Sequence, residues 1–119
     1  MCVNKSDKQV KPVTVERIEQ MFARGKIYNV IGLYIPGNPF PEIGSDMSLQ
    51  YDPGQPVPYI RWQGKQVEVF VGIVNNKVEY RYGRNHEPDY DRCPVTTDQQ
   101  QIETINRLFD FWYQYMMKP

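Results

Sequence analysis

Apolar and polar side chains alternate regularly over residues 57–83, in the segment VPYIRWQ-GK-QVEVFVGIV-NN-KVEYRYG. A period of two is typical of β-strands, so the segment predicts three of them. The pairs Gly64-Lys65 and Asn75-Asn76 interrupt the alternation and suit two-residue hairpin turns. The pattern therefore predicts an antiparallel three-stranded meander whose register is set by the two turns.

These turns also predict which side chains share a face of the sheet. One face is apolar: Ile60 and Trp62 lie opposite Val69 and Val67, and Val69, Val71 and Ile73 lie opposite Tyr82, Tyr80 and Val78. The other face carries Tyr59, Arg61, Glu68, Phe70, Glu79 and Arg81. In this register Arg61 lies across from Glu68, and Tyr59, Phe70 and Arg81 form one row over three strands.

A helix is predicted shortly before the first strand. Residues 1–12 are polar and without periodicity, which predicts a flexible leader ahead of a single domain at residues 13–119. Thr14 suits the N-cap of this helix and Gly25 suits its end. Its predicted buried face is Val15, Ile18, Met21 and Phe22. Residues 27–35 are rich in β-branched side chains and predict a strand covered on both faces.

The segment at residues 36–58 contains six prolines. Proline has no N–H to donate to a sheet, so only residues 47–51 are expected to form a strand there. Connections between elements are usually short, and one of this length is more often a binding loop than filler. Phe40 and Tyr51 are its aromatic residues.

The second helix has the clearest start in the chain. Thr97 and Gln100 form a capping box, and the helix is expected to run to about Met117. Its apolar face comprises Ile102, Ile105, Phe109, Trp112 and Met116, and Leu108, Phe111 and Tyr115 widen it. A face this wide fits either a helix well buried in its own domain or a homo-oligomer, whose interface would be Leu108, Phe111 and Tyr115.

Together the elements predict an α+β domain. An antiparallel sheet of about five strands carries an N-terminal helix and a longer C-terminal helix packed on it.

Composition narrows the classes of function that the chain can have. With 14 basic and 14 acidic residues and no basic run, the chain lacks the charge excess of a nucleic-acid binder. With no long apolar stretch it is expected to be cytoplasmic, and its two cysteines are too few for a zinc site.

The polar face of the meander is the candidate site. Arginine and aromatic side chains there suit a small anionic, nucleotide-like ligand, with stacking on the rings and charge from the guanidinium groups. The predicted ligand-binding residues are Tyr59, Arg61, Phe70, Arg81, Arg84 and Arg92. Two readings of this face stay open, because the first helix or the proline-rich segment would make Tyr59 and Phe70 a second small core if it covered them.

The leading hypothesis is thus a non-catalytic, homo-oligomeric binding protein that needs no metal or cofactor. A protein-binding inhibitor or adaptor that uses the same surface is the second hypothesis, because interface cores favour Tyr, Phe and Arg. A small hydrolase or metal-dependent enzyme centred on His86 is the third. His86 is the only histidine and has Asp89, Asp91 and Cys93 nearby in sequence, but this spacing matches no catalytic motif.

Overall fold

The computed structural model of the chain describes residues 11–28, 32–34, 46–50, 57–84 and 90–118. Five strands form one antiparallel sheet in which each strand pairs with the next along the chain. They are β1 (Gly32–Tyr34), β2 (Asp46–Gln50), β3 (Tyr59–Gln63), β4 (Val67–Val74) and β5 (Lys77–Arg84). Helix α1 (Val15–Tyr28) precedes the sheet, and helix α2 (Gln99–Met116) follows it after a short 3₁₀ turn, Tyr90–Arg92. The predicted α+β class is confirmed.

Both helices contribute to one hydrophobic core on one face of the sheet. The fully buried side chains of that core include Ile18, Met21, Met47, Ile60, Trp62, Val69, Val71, Ile105, Leu108, Phe109 and Trp112. The residues of this set on β3 and β4 all come from the face that the alternation predicted to be apolar. We call the opposite side of the sheet the outer face.

The two helices also contact each other directly. Arg17 on α1 forms an ion pair with Asp110 on α2 at 2.8 Å. Its guanidinium lies over the ring of Tyr113, 4.4 Å from the centroid. Arg24 donates to the carbonyl of Met116 at 2.9 Å, next to the C-terminal end of α2. The Arg24 contact places a positive charge at the C-terminal end of α2, where the helix dipole favours one.

The hairpin between β4 and β5 has the predicted register, with Val69 opposite Tyr82 and Ile73 opposite Val78. Its turn residues Asn75 and Asn76 have φ values of 53° and 62°. Asparagine tolerates this left-handed conformation better than most residues, and a type I′ turn needs it at both positions. The two turn residues therefore predicted the pairing of β4 with β5 correctly.

The hairpin between β3 and β4 differs from the prediction by two residues. Trp62 lies opposite Val69, not Val67, and Arg61 lies opposite Phe70, not Glu68. The loop is centred on Lys65-Gln66, because the N–H of Gly64 donates to the carbonyl of Val67 at 2.9 Å. Moving the turn by one residue shifts the register by two, and an even shift leaves every side chain on its predicted face.

Helix α1 begins where expected, because the Thr14 hydroxyl accepts a hydrogen bond from the Arg17 N–H at 3.1 Å. Its predicted end is wrong. The helix continues through Gly25 to Tyr28, so residues 27 and 28 are helical and do not belong to the strand predicted over 27–35, of which the structure describes β1. Gly25 is needed here for close packing, since a Cβ atom at this position would lie 2.1 Å from Cδ1 of Leu49.

Helix α2 begins one residue later than predicted. Asp98 is the N-cap, and its carboxylate accepts a hydrogen bond from the N–H of Gln101 at 3.0 Å.

The oligomer interface predicted on α2 also needs correction. Leu108 is fully buried in the core of its own chain, which removes it from any contact with a second subunit. Phe111 is half-buried against the same core, and Tyr115 is exposed.

Residues 94–96 lie along the free edge of β5. The N–H of Tyr82 donates to Pro94 and the N–H of Thr96 donates to Tyr80, at 3.2 and 2.9 Å. Covering an edge in this way protects it from pairing with another chain. It also anchors the C-terminal side of the 3₁₀ turn to the sheet.

Candidate functional site

The outer face carries an ordered set of arginine and aromatic side chains. One row across three strands consists of Arg61, Phe70 and Arg81. The neighbouring row consists of Tyr59, Gly72 and Glu79. The predicted row of Tyr59, Phe70 and Arg81 is therefore wrong in its first member. Tyr59 is diagonal to Phe70, and the two rings meet edge to face with centroids 5.3 Å apart.

Residues 90–93, which we call the cover turn, lie over this part of the outer face. The ring of Tyr90 stacks on Tyr59, with centroids 5.0 Å apart and an angle of 18° between the planes. The same ring meets Phe70 edge to face at 5.4 Å. Phe70, Tyr90 and Cys93 are buried together, with Val57 and Tyr59 packed against them.

The structure thus contains the second small core, and the open stacking surface predicted at Phe70 is absent, since Phe70 has no exposed surface. Among the described residues, the cover of Phe70 comes from the cover turn, and Val57 of the proline-rich segment packs against the same cluster. The cover turn follows the meander directly and folds back over it.

Gly72 determines where Tyr90 fits. A Cβ atom on Gly72 would lie 2.4 Å from the hydroxyl oxygen of Tyr90 and 2.9 Å from Cζ. Because Gly72 has no side chain, it leaves a gap on the outer face. The Tyr90 ring fills that gap.

Arg81 holds the cover turn through the backbone. Its Nη1 donates to the carbonyls of Tyr90 and Cys93 at 2.9 and 2.7 Å, with Asp91 at 3.4 Å. Its Nε donates to Glu79 at 2.9 Å, and the guanidinium lies 4.2 Å from the centroid of Tyr90. Charged donors to backbone carbonyls are among the stronger hydrogen bonds of a protein, so this one side chain fixes the turn.

Glu79 connects the sheet to Tyr90 a second time. The Tyr90 hydroxyl donates to Oε1 of Glu79 at 2.6 Å. Burial of the hydroxyl raises the pKa of Tyr90 well above its ordinary value, and the hydrogen bond to Glu79 adds to this effect. The hydroxyl therefore remains a protonated donor at neutral pH.

Arg61 lies on the other side of Phe70. Its Nη2 is 2.7 Å from Oε2 of Glu68, whose side chain is fully buried. Its guanidinium carbon is 5.8 Å from the centroid of the Phe70 ring. The predicted charge pair thus exists, but as a diagonal contact between neighbouring rows. The Arg61 side chain keeps 29 % of its surface exposed, compared with 15 % for Arg81.

The remaining predicted site residues lie around this centre. Arg84 is exposed at the end of β5, and Arg92 is exposed on the cover turn. The thiol of Cys93 is buried, and its Sγ lies 4.0 Å from the backbone carbonyl of Glu68. Burial of this thiol opposes a reactive role for Cys93 in the hydrolase hypothesis centred on His86. His86, Asp89, Phe40 and Tyr51 are outside the described residues.

Sequence reasoning missed Tyr90, whose ring contacts Tyr59 and Phe70 on the outer face. A signal for it was present, because Tyr90 is the only aromatic residue in the loop that follows β5. A large ring in that loop complements a glycine on the sheet beneath it. Paired large and small residues of this kind are usual in packed cores.

Comparison with known proteins suggests no function for this chain, so a proposal has to rest on the geometry of the outer face. No protein-family model matches the chain, and searches of curated proteins and of solved structures gave no significant match. Within residues 11–28, 32–34, 46–50, 57–84 and 90–118, no three His, Cys, Asp or Glu side chains group as metal ligands would. No helix in that part of the chain has the length and apolar character needed to cross a membrane.

Proposed function

We propose that this chain is a non-catalytic binding protein that captures a small anionic, nucleotide-like ligand on its outer face. Arg61 provides the main contact to the anionic group, and the ring of Tyr59, two residues away on the same strand and face, contacts the flat part of the ligand. Phe70 and Arg81 support these two residues from below and beside. Arg84 and Arg92 add positive charge at the margin of the site.

The observation that carries this proposal is the state of the Arg61 guanidinium. Glu68 contacts one of its three nitrogen atoms, Nη2. Nε is shielded from solvent and has no hydrogen-bond partner among the described residues. Because a shielded Nε cannot reach a ligand, a phosphate or carboxylate would bind the Nη side of this partly exposed guanidinium, which a buried carboxylate holds in place.

Arg81 has a different role from the one expected for it. Its guanidinium contacts Glu79 and three backbone carbonyls, so its donors are used within the protein. We assign it as a positioning residue that keeps the cover turn against Tyr59. Replacing it would disturb the turn as well as the charge, so Arg61 is the better position for a test of ligand binding.

The homo-oligomeric part of the proposal now rests on a smaller area. With Leu108 buried, Phe111 and Tyr115 are the members of the predicted interface that reach the surface of α2, and Tyr115 is 41 % exposed. Native mass spectrometry of the purified protein measures the subunit number directly. A monomer at micromolar concentration would remove this part and leave the ligand site unaffected.

The test of ligand capture is a thermal-shift screen followed by calorimetry with AMP, GMP, ribose 5-phosphate and inorganic phosphate. We expect at least one phosphorylated compound to stabilise the protein, and we expect Arg61→Gln to weaken its binding about tenfold to hundredfold, since a charged hydrogen bond contributes about 1.5–3 kcal/mol. Arg107→Gln is the matched control, because Arg107 is exposed on α2 and pairs with Glu103.

Two results would contradict this function. The first is the absence of stabilisation by every compound in the screen. The second is equal binding by the wild type and Arg61→Gln. A protein partner retained in stoichiometric amount without any small molecule would instead favour the inhibitor or adaptor hypothesis.

A further inference from the structure

The ring of Tyr59 has one of its two faces occupied within the protein. Tyr90 lies above Gly72, which is the β4 residue directly opposite Tyr59. The rings of Tyr90 and Tyr59 are nearly parallel, with centroids 5.0 Å apart. The occupied face of Tyr59 is therefore the one directed toward β4. Its second face is directed toward β2, where Gln50 is the residue opposite Tyr59.

The guanidinium of Arg61 is directed the other way. In the register of the sheet, Arg61 lies between Ser48 on β2 and Phe70 on β4. Its Nη2 is 2.7 Å from Oε2 of Glu68, and its guanidinium carbon is 5.8 Å from the centroid of the Phe70 ring. Both contacts are with β4, so the charged end of Arg61 and the second face of Tyr59 lie on opposite sides of β3.

The other two rings of the cluster also offer no platform to a ligand held by Arg61. Phe70 has no exposed surface, and Tyr90 is 5 % exposed. Tyr90 stacks on Tyr59, and the guanidinium of Arg81 lies 4.2 Å from its centroid. Stacking of a base needs an accessible ring face, so neither ring provides one beside the anion.

We propose that the site recognises its ligand through a phosphate group alone, and that sugar phosphates and similar small phosphomonoesters form the ligand class. This inference rests on the proposed function and narrows it. The phosphate binds the Nη side of Arg61 over β4, where Glu68 holds the guanidinium. A base attached to that phosphate reaches Tyr59 only at the margin of its ring and adds little to the affinity.

AMP and ribose 5-phosphate measure the contribution of the base, because they differ by the adenine group. A base stacked on an aromatic side chain tightens binding about fivefold to 150-fold. In calorimetry with the full-length protein, we expect the two compounds to bind within about threefold of each other, since the base has no ring face to stack on. Adenosine, which lacks the phosphate, is expected not to bind.

Two variants assign the contributions to side chains. Arg61→Gln should weaken the binding of AMP and ribose 5-phosphate by the same factor. Tyr59→Leu should leave the ratio of their dissociation constants at the wild-type value, and a loss of stability alone does not change this ratio. If Tyr59→Leu does not fold, the ratio in the wild type decides alone. Arg107→Gln should bind both compounds as the wild type does.

The failure of this inference differs from the failure of the proposed function. Binding of AMP more than fivefold tighter than that of ribose 5-phosphate would overturn the inference and leave the proposed function standing. Binding of adenosine with an affinity similar to that of AMP would overturn it as well. If AMP, ribose 5-phosphate and inorganic phosphate all fail to bind, the proposed function and this inference fail together.

Discussion

Gly72 offers the sharpest test of how the cover turn is seated. Substitution by alanine adds one methyl group to the centre of the outer face, below the Tyr90 ring. That carbon would lie 2.4 Å from the Tyr90 hydroxyl oxygen, 2.9 Å from Cζ and 3.0 Å from Cε1. Carbon atoms in contact prefer about 3.5–4.0 Å, so the ring has to retreat by about 1 Å.

The ring has no easy direction in which to move. It stacks on Tyr59, lies under Arg81 and donates to Glu79 at 2.6 Å, so a retreat weakens at least one of these contacts. Added methyl groups in packed sites cost about 1–3 kcal/mol. For a domain of this size, each kcal/mol lowers the melting temperature by about 4 °C, so we expect Gly72→Ala to lower it by about 4–12 °C.

The assay is a double-mutant cycle with Tyr90→Ala, measured by urea denaturation. Once the Tyr90 ring is removed, the methyl group has space, and alanine suits a strand better than glycine, by about 0.5–1 kcal/mol. The effect of Gly72→Ala should therefore change sign, from destabilising in the wild type to neutral or stabilising beside Tyr90→Ala. An equal cost in both backgrounds would refute the assignment of Tyr90 to the space above Gly72.

Three other positions give independent predictions. The Asn106 side-chain carbonyl accepts from the N–H of Val13 and the Tyr80 hydroxyl at 3.2 and 2.8 Å, so Asn106→Ala orphans two donors and should cost about 1–3 kcal/mol by urea denaturation. Asn76→Gly should raise the melting temperature by roughly 2–4 °C, since glycine adopts the observed φ of 62° without strain. Because the pKa of Tyr90 is raised in the folded state, the folded protein keeps a proton that the unfolded chain loses above a pH of about 10. The free energy of unfolding should therefore fall as pH rises beyond that value, by up to about 1.4 kcal/mol per pH unit for this group.

Each of these predictions has its own control. For Asn106, Tyr80→Phe in the same cycle should show coupling, and strictly additive effects would contradict the shared acceptor. For the turn, Asn76→Val should destabilise the protein, because a β-branched residue opposes positive φ. Equal stability of the Asn76→Gly and Asn76→Val variants would contradict the turn type. For the pH profile, Tyr90→Phe should reduce the alkaline slope, and a slope equal to that of the wild type would contradict the assignment to Tyr90.

The fold was readable from the sequence wherever a local rule had one solution. Asn75-Asn76 is such a case, because few residues accept left-handed φ at two successive positions, and the pairing of β4 with β5 followed correctly. Gly64-Lys65 is not such a case, because a glycine near a turn does not show which two residues form the centre of that turn. The resulting shift of two residues preserved the faces and displaced the rows.

The candidate site was predicted less well because its main contacts come from a loop that folds back over the sheet and follows no periodic pattern. Periodicity placed Arg81 and Phe70 on the outer face, as the structure confirms. It gave no indication that Arg81 binds the carbonyls of Tyr90 and Cys93, because backbone acceptors leave no mark in the sequence. Ligand binding by Tyr59 and Arg61 remains a prediction.

The sheet and the helix pair impose very different demands on the folding chain. Each strand pairs with its neighbour in sequence, so the meander grows by closing short loops, whose entropic cost is small. The bond between Arg17 and Asp110 instead joins residues 93 positions apart. From the low contact order in the sheet and the long closure between the helices, we expect the strands to assemble early and α1 to dock against α2 late.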